Sequence, residues 1–231
     1  MQICITGGSY GLGEALARTG EALGHSVTVI DKKRNPGLKC AYIHHDFKNK
    51  IEKAVACDLL IINHATFDGF SSFSSMSSSY VEEYLQINLF SHIEVLLKFR
   101  YAKAVFINSV LSITSFPNVS LYSASKSFMK RFLETIQREG AHVLIVYPFK
   151  INTSLFGSVK DFYTLDRYDV AKEVYRAVES GKKTLYLPRI FRLSYFFALF
   201  PEAVQDWIIA LVYRLLVRKG KSVDSSGYKS D

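Results

Sequence analysis

Tyr122 and Lys126 stand four positions apart in Tyr122-Ser123-Ala124-Ser125-Lys126, and Ser109 lies thirteen positions before the tyrosine. On a helix that spacing puts the phenol and the ammonium on one face. A free phenol titrates near pH ~10 and is a poor acid or base at neutrality. A neighbouring cation favours the phenolate, so Lys126 is expected to lower the Tyr122 pKa toward the working range. Tyr122 would then exchange a proton with an alcohol or carbonyl oxygen while the Ser109 hydroxyl hydrogen-bonds the same oxygen.

The start of the chain carries a second signal. Gln2-Ile3-Cys4-Ile5-Thr6 reads as a buried strand, followed by Gly7-Gly8-Ser9-Tyr10-Gly11-Leu12-Gly13 and a helical run from Glu14 to Leu23. A strand, a glycine-rich turn and a helix N-terminus form an anion site. The glycines admit a pyrophosphate close to the backbone, and the free N–H groups and helix dipole hold its charge.

The remaining pattern supplies the elements that must position these groups. Apolar runs at 2–6, 26–30, 58–62, 103–107 and 142–147 read as buried parallel strands, with helical patterns at 12–24, 48–57, 79–99 and 123–139. A helix near 169–180 and a strand near 183–187 close the series. The alternation predicts an α/β fold, a doubly wound parallel sheet in three layers, with ligands at the strand C-terminal ends. A chain of 231 residues with 48% hydrophobic content suffices for one sizeable core, and no internal repeat is evident. Residues 1–188 are expected to form this single domain, and 189–231 an apolar, basic, helical C-terminal extension. The serine-rich stretch 70–79 reads as a loop whose last serines cap the following helix. No signal peptide is expected ahead of the first strand. Cys4, Cys40 and Cys57 lack metal spacing and read as reduced thiols. His44, His45, His64 and His92 share no ligand pattern either, so no metal is predicted.

Together these residues resemble the short-chain dehydrogenase/reductase family over about residues 2–153. The family's Thr-Gly-x-x-x-Gly-x-Gly turn stands here as Thr6 to Gly13. Its catalytic Ser, Tyr and Lys fall on Ser109, Tyr122 and Lys126, and the Asn that supports its proton-relay water on Asn88. The Asp that contacts adenine falls on Asp46 in His45-Asp46-Phe47. The resemblance implies a Rossmann fold and hydride transfer between nicotinamide C4 and a substrate carbon. It places NAD(P)(H) against Gly7, Ser9, Tyr10, Gly11, Leu12, Gly13, Asp31, Lys32, Asp46, Phe47, Asn63, Ala65, Tyr122, Lys126, Pro148 and Thr153. Relatives pair as homodimers or homotetramers through the helices expected here at 79–99 and 123–139.

Two departures bear on the pocket. The family's Asn-Asn-Ala-Gly reads Asn63-His64-Ala65-Thr66, and its Pro-Gly becomes Pro148-Phe149. Cofactor choice is divided: Asp31 would bond ribose hydroxyls and repel a 2′-phosphate, whereas Lys32 and Lys33 would attract one. NAD and NADP both stay open.

Between 182 and 221 the chain holds eight Lys or Arg against Glu202 and Asp206, most of its net +8. Those charges interrupt the apolar stretches 190–200 and 207–217, neither of which reaches the roughly 20 residues of a bilayer span. Aromatic and aliphatic bulk beside basic residues suits a segment resting on an anionic leaflet, or else helices that cover the pocket. The expected location is the cytosolic face of a membrane, the endoplasmic reticulum in a eukaryote, and otherwise the cytoplasm. A greasy neighbourhood suits a lipid-like carbonyl or alcohol, with Phe149, Phe156, Phe162 and Tyr163 adding apolar lining. The motif and tail are similar to those of 3-ketodihydrosphingosine reductases, although their Pro-Pro-Asp segment is absent. Nucleic acid is not an expected partner, because the charge sits beside greasy residues. The alternative reading is a catalytically silent NAD(P)-binding redox sensor.

Overall fold

In the computed structural model, which describes residues 1–153 and 164–216, the apolar runs become strands β1 (Gln2–Thr6), β2 (Ser26–Asp31), β3 (Ala41–His44), β4 (Ala56–Ile62), β5 (Arg100–Ile107), β6 (Val143–Pro148) and β7 (Thr184–Leu187). They pair in parallel as one seven-stranded sheet, ordered β3-β2-β1-β4-β5-β6-β7. Its chain order reverses between β1 and β4, and the crevice at such a reversal is where open α/β sheets bind ligands.

Helices α1 (Gly11–Ala22), α2 (Ser78–Leu85), α3 (Ser91–Lys98), α4 (Ser120–Arg138) and α5 (Arg167–Glu179) flank the sheet. Side chains alternate across a strand, so consecutive strand residues feed opposite cores. Ile3, Ile5, Leu59, Ile61 and Val105 pack with Leu12 and Leu16 of α1 and Val170 and Val174 of α5. Cys4, Leu60, Ile62 and Phe106 face the other way, onto Val95 of α3 and Met129 and Leu133 of α4. This is the expected three-layer, doubly wound arrangement. Ser77 caps α2 by accepting the Tyr80 N–H at 3.2 Å, as the serine run implied.

Three elements differ from the sequence pattern. Residues 48–57 form no helix; the chain runs irregularly from β3 into β4, and Ala56 and Cys57 belong to that strand. Ile51 and Val55 have helical spacing, but distance overrules it. The connection must cross three strand spacings of roughly 4.8 Å and the length of the sheet. A ten-residue helix advances only about 15 Å. The helix expected over 79–99 is also broken: Gln86–Phe90 forms a π turn between α2 and α3, and Asn88 sits in it. Third, β3 (Ala41–His44) is a strand where no apolar run marked one; only its backbone register with β2 defines it.

After β7 the chain forms a 3₁₀ segment, Arg189–Leu199, and then α6 (Glu202–Leu216). α6 is anchored where the Asn118 amide donates to the Tyr213 hydroxyl at 2.7 Å, and the Tyr213 ring meets those of Phe70 and Phe116.

Candidate active site

The turn after β1 is shaped for a close approach. A Cβ on Gly13 would lie 2.0 Å from the Gly7 carbonyl oxygen, and Gly7, at φ +64°, would put one 2.6 Å from His64 Cα. No side chain caps α1, so its first N–H groups remain available to an anion. Ser9 is buried with its hydroxyl unpartnered, and its N–H donates to Asp31 Oδ2 at 3.0 Å. That carboxylate also accepts the Lys33 N–H at 3.3 Å.

A cavity of about 400 Å³ runs from this turn to the catalytic candidates. Gly7, Tyr10, Gly11 and Leu12 line its floor, with Asp31, Lys32, Asp46 and Phe47 toward the β2–β3 edge. Asn63, Ala65, Pro148 and Thr153 line its middle, and Ser109, Tyr122 and Lys126 its far end. Ser9, Gly13 and Asn88 are buried and do not line it. A glycine cradle, an uncapped helix N-terminus, an orphaned hydroxyl and a long cleft fit a dinucleotide.

At the far end, β5 and α4 bring the chemistry together. The Ser109 hydroxyl hydrogen-bonds the Tyr122 phenol, whose ring meets Phe67 edge-on at 5.1 Å. Burial pushes the phenol up to about 12, against the downward pull of Ser109. The Lys126 ammonium lies 5.8 Å from the centre of the Tyr122 ring, and donates to the Ile107 carbonyl at 2.9 Å. Burial drives the lysine down to about 7. The expected lowering of the Tyr122 pKa is therefore not present in this state: both groups are pushed toward neutrality.

Asn88 is occupied by main chain. Its Oδ1 accepts the Thr66 N–H at 3.0 Å and its Nδ2 donates to the Tyr84 carbonyl at 3.2 Å. His64, standing where the family has an Asn, bonds Thr6 at 2.6 Å and Ser91 at 2.8 Å while stacking on Phe47 at 3.6 Å. Burial holds its pKa well below the ordinary range, so it is a neutral brace between β1, α3 and the cavity wall.

Sequence reasoning missed Asn108. Its Oδ1 accepts the Ser109 N–H at 2.9 Å and its Nδ2 donates to the Lys126 carbonyl at 3.2 Å, joining the end of β5 to α4. No motif marks it. Also missed was a second cavity of about 300 Å³ that shares Ser109 and Phe149 with the first. Phe70, Val110, Leu111 and Phe116 line one side, and Phe191, Phe197, Ile208, Ile209 and Val212 of the C-terminal extension the other. The sequence leaves the tail either resting on a membrane or forming helices that cover the pocket, and its residues do line a cavity that reaches Ser109. Phe156, Phe162 and Tyr163 lie outside the described residues. Among the described residues no three His, Cys, Asp or Glu side chains gather as a metal site.

The sequence profile of the short chain dehydrogenases matches residues 43–163, just over half of the chain. The chain belongs to the short-chain dehydrogenase family. It is thus an oxidoreductase by family, and its fold recurs in solved members. A short chain dehydrogenase from Burkholderia cenocepacia J2315, solved in complex with NADP, superposes with a TM-score of 0.74 at 20% identity, over 93% of this chain and 96% of that one. One from Streptomyces avermitilis gives 0.70 at 18%, over 92% and 97%. The 3-ketoacyl-(acyl-carrier-protein) reductase of Brucella melitensis, complexed with NADH, gives 0.68 at 14%, over 80% and 95%. In this chain the extension after β7 supplies one wall of the apolar second cavity.

Proposed function

We propose that this short-chain dehydrogenase transfers hydride between NAD(P)(H) and the carbonyl or alcohol carbon of an apolar, lipid-like substrate. The observation that carries the reading is the position of Ser109, which lines both the dinucleotide-shaped cavity and the apolar one. A substrate oxygen bonded to Ser109 is within the same hydrogen-bonded cluster as Tyr122, while its carbon chain meets mainly apolar walls, with Thr114, Lys150 and Ser194 the other polar residues of the lining. The bound cofactor supplies or accepts the hydride. In the reducing direction Tyr122 gives its proton to the substrate oxygen and Ser109 holds that oxygen in place. In its protonated form Lys126 stabilises the resulting phenolate, and solvent restores the proton to Tyr122. Asn108 fixes the main chain on which Ser109 and Lys126 sit; Asn88 fixes Thr66 at the cavity wall.

Of lipid-like carbonyls, 3-ketodihydrosphingosine suits the motif and the greasy extension together. The test is oxidation of NADH or NADPH in the presence of a panel of keto-lipids that includes it, beside short water-soluble ketones. Turnover of a keto-lipid, lost by about 10²- to 10⁴-fold in Tyr122→Phe with cofactor affinity kept, is the expected result. Tight cofactor binding with no turnover of any carbonyl would favour the silent sensor instead.

A further inference from the structure

The extension after β7 is apolar on more sides than its pocket needs. In the 3₁₀ segment residues three apart eclipse. One column, Phe191, Ser194 and Phe197, lines the apolar cavity. The next column, Ile190, Leu193, Phe196 and Leu199, is between 55 and 78% exposed. α6 repeats the arrangement. Ile208, Ile209 and Val212 face the cavity, whereas Val204, Trp207, Leu211 and Leu215 form an exposed stripe at helical spacing, with Trp207 at 66%. At 100° per residue those two sets cover about 200° of the circumference of α6. A helix apolar over that much of its surface is one that is covered on more than one side.

Charge selects the cover. Arg189, Arg192 and Arg214 are exposed on the same two segments, and none is paired with a carboxylate among the described residues. The sequence just past α6 adds Arg218, Lys219 and Lys221. A second copy of this chain would bring the same cations against one another. A polyanionic groove binder would have no use for the greasy stripes. No helix among the described residues is long and apolar enough to cross a membrane.

We infer that the outward faces of Arg189–Leu199 and α6 form a surface that lies on an anionic lipid bilayer, with the stripes in the acyl boundary and the arginines among the headgroups. Exposed aromatic and aliphatic residues bordered by Arg are the components of an interfacial segment. Anionic lipid of this kind lines the cytosolic face of membranes. The same two segments wall the apolar cavity, so a lipid substrate leaving the bilayer meets the cavity's own lining first.

The chain supplies its own probe, because Trp207 is its only tryptophan. The intact protein is mixed with phosphatidylcholine vesicles with and without phosphatidylserine, and its emission, quenching by brominated lipid and cosedimentation are followed. A blue shift, quenching and pelleting with the anionic vesicles are expected, weakened by high salt. Arg189→Glu, Arg192→Glu and Arg214→Glu combined should weaken binding by roughly a hundredfold or more. Leu193→Ser, Phe196→Ser and Leu211→Ser combined, all exposed and outside both cavities, should abolish the shift with cofactor binding intact. Unmoved emission in the unaltered protein, equal binding to neutral vesicles, or equal binding by the serine variant would overturn the inference. So would a blue shift on concentrating lipid-free protein that vesicles do not change, which would assign the surface to a second copy. These readouts are independent of turnover, so failure of the proposed chemistry leaves them unaffected.

Discussion

Lys126 is the most consequential single residue, because its burial links fold stability to chemistry. In the folded protein its ammonium loses its proton near pH 7, driven by desolvation, whereas in the unfolded chain it keeps it to the ordinary lysine range. Between those values the unfolded state binds the extra proton, so this group makes stability rise with pH. Below pH 7 both states hold the proton and the burial cost is constant. Urea midpoints of the cofactor-free protein should therefore show a rising component from pH 7 to 9.5, at most about 1.4 kcal/mol per pH unit, which Lys126→Met removes. Identical slopes in the two proteins would sink the assignment. Asp31 carries a second prediction. Its carboxylate is fixed on the cavity wall by the Ser9 and Lys33 N–H groups, so a 2′-phosphate would meet a like charge held in place. NADH should be preferred over NADPH by about tenfold or more, and Asp31→Asn should narrow that ratio of kcat/KM values. A native preference for NADPH would show that Lys32, which lines the same wall, decides instead. These residues were legible because spacing and motif order mark them. Asn108 and His64 were not, since hydrogen bonds to main chain and to distant hydroxyls leave no pattern in sequence.

Strands and helices were legible where burial set the period. The inner parts of β1, β4, β5 and β6 are continuous apolar runs because both faces are covered there (3–5, 59–62, 104–107 and 143–147), and α4 keeps Tyr122, Met129 and Leu133 inward at helical spacing. The misplaced helix at 48–57 shows the limit: a short stretch with two spaced apolar residues cannot report the distance it must bridge. The tail leaves two readings for α6, a membrane surface or a pocket cover, since hydropathy shows that a segment will be covered but not by what. Its anchor can be cut. Tyr213 holds α6 through the Asn118 hydrogen bond and through rings of Phe70 and Phe116, and Tyr213 does not line either cavity. Tyr213→Ala should loosen the outer wall of the apolar cavity. KM for a long-chain ketone is then expected to rise by roughly tenfold, while kcat/KM for a small soluble ketone stays within about twofold. Equal losses for both substrates would mean that α6 supports the catalytic end rather than the apolar pocket.

At the scale of the whole molecule, a fully packed sheet carries a partly exposed cover, and the apolar cavity lies between the two. The dinucleotide-shaped cleft is lined from the ends of β2, β5 and β6 and the turns after β1 and β4, strands whose side chains feed the two buried cores. The apolar cavity borrows one wall from a segment in which no described α6 side chain is fully buried. Local opening free energies follow buried apolar contact, so the cover should open without the sheet. Hydrogen exchange read by mass spectrometry is expected to show amides in 203–216 exchanging at least about 100-fold faster than those of β4 and β5. Cofactor should then protect residues 7–13 and leave α6 unchanged, whereas a non-reactive long-chain alcohol should slow α6 and spare the turn. Ser109 and Phe149 belong to both cavities, so the loop that starts at Ser109 is where the two protections should overlap. If α6 exchanged as slowly as the central strands, the extension would be part of the global core, and its two-sided apolar character would need no outside partner.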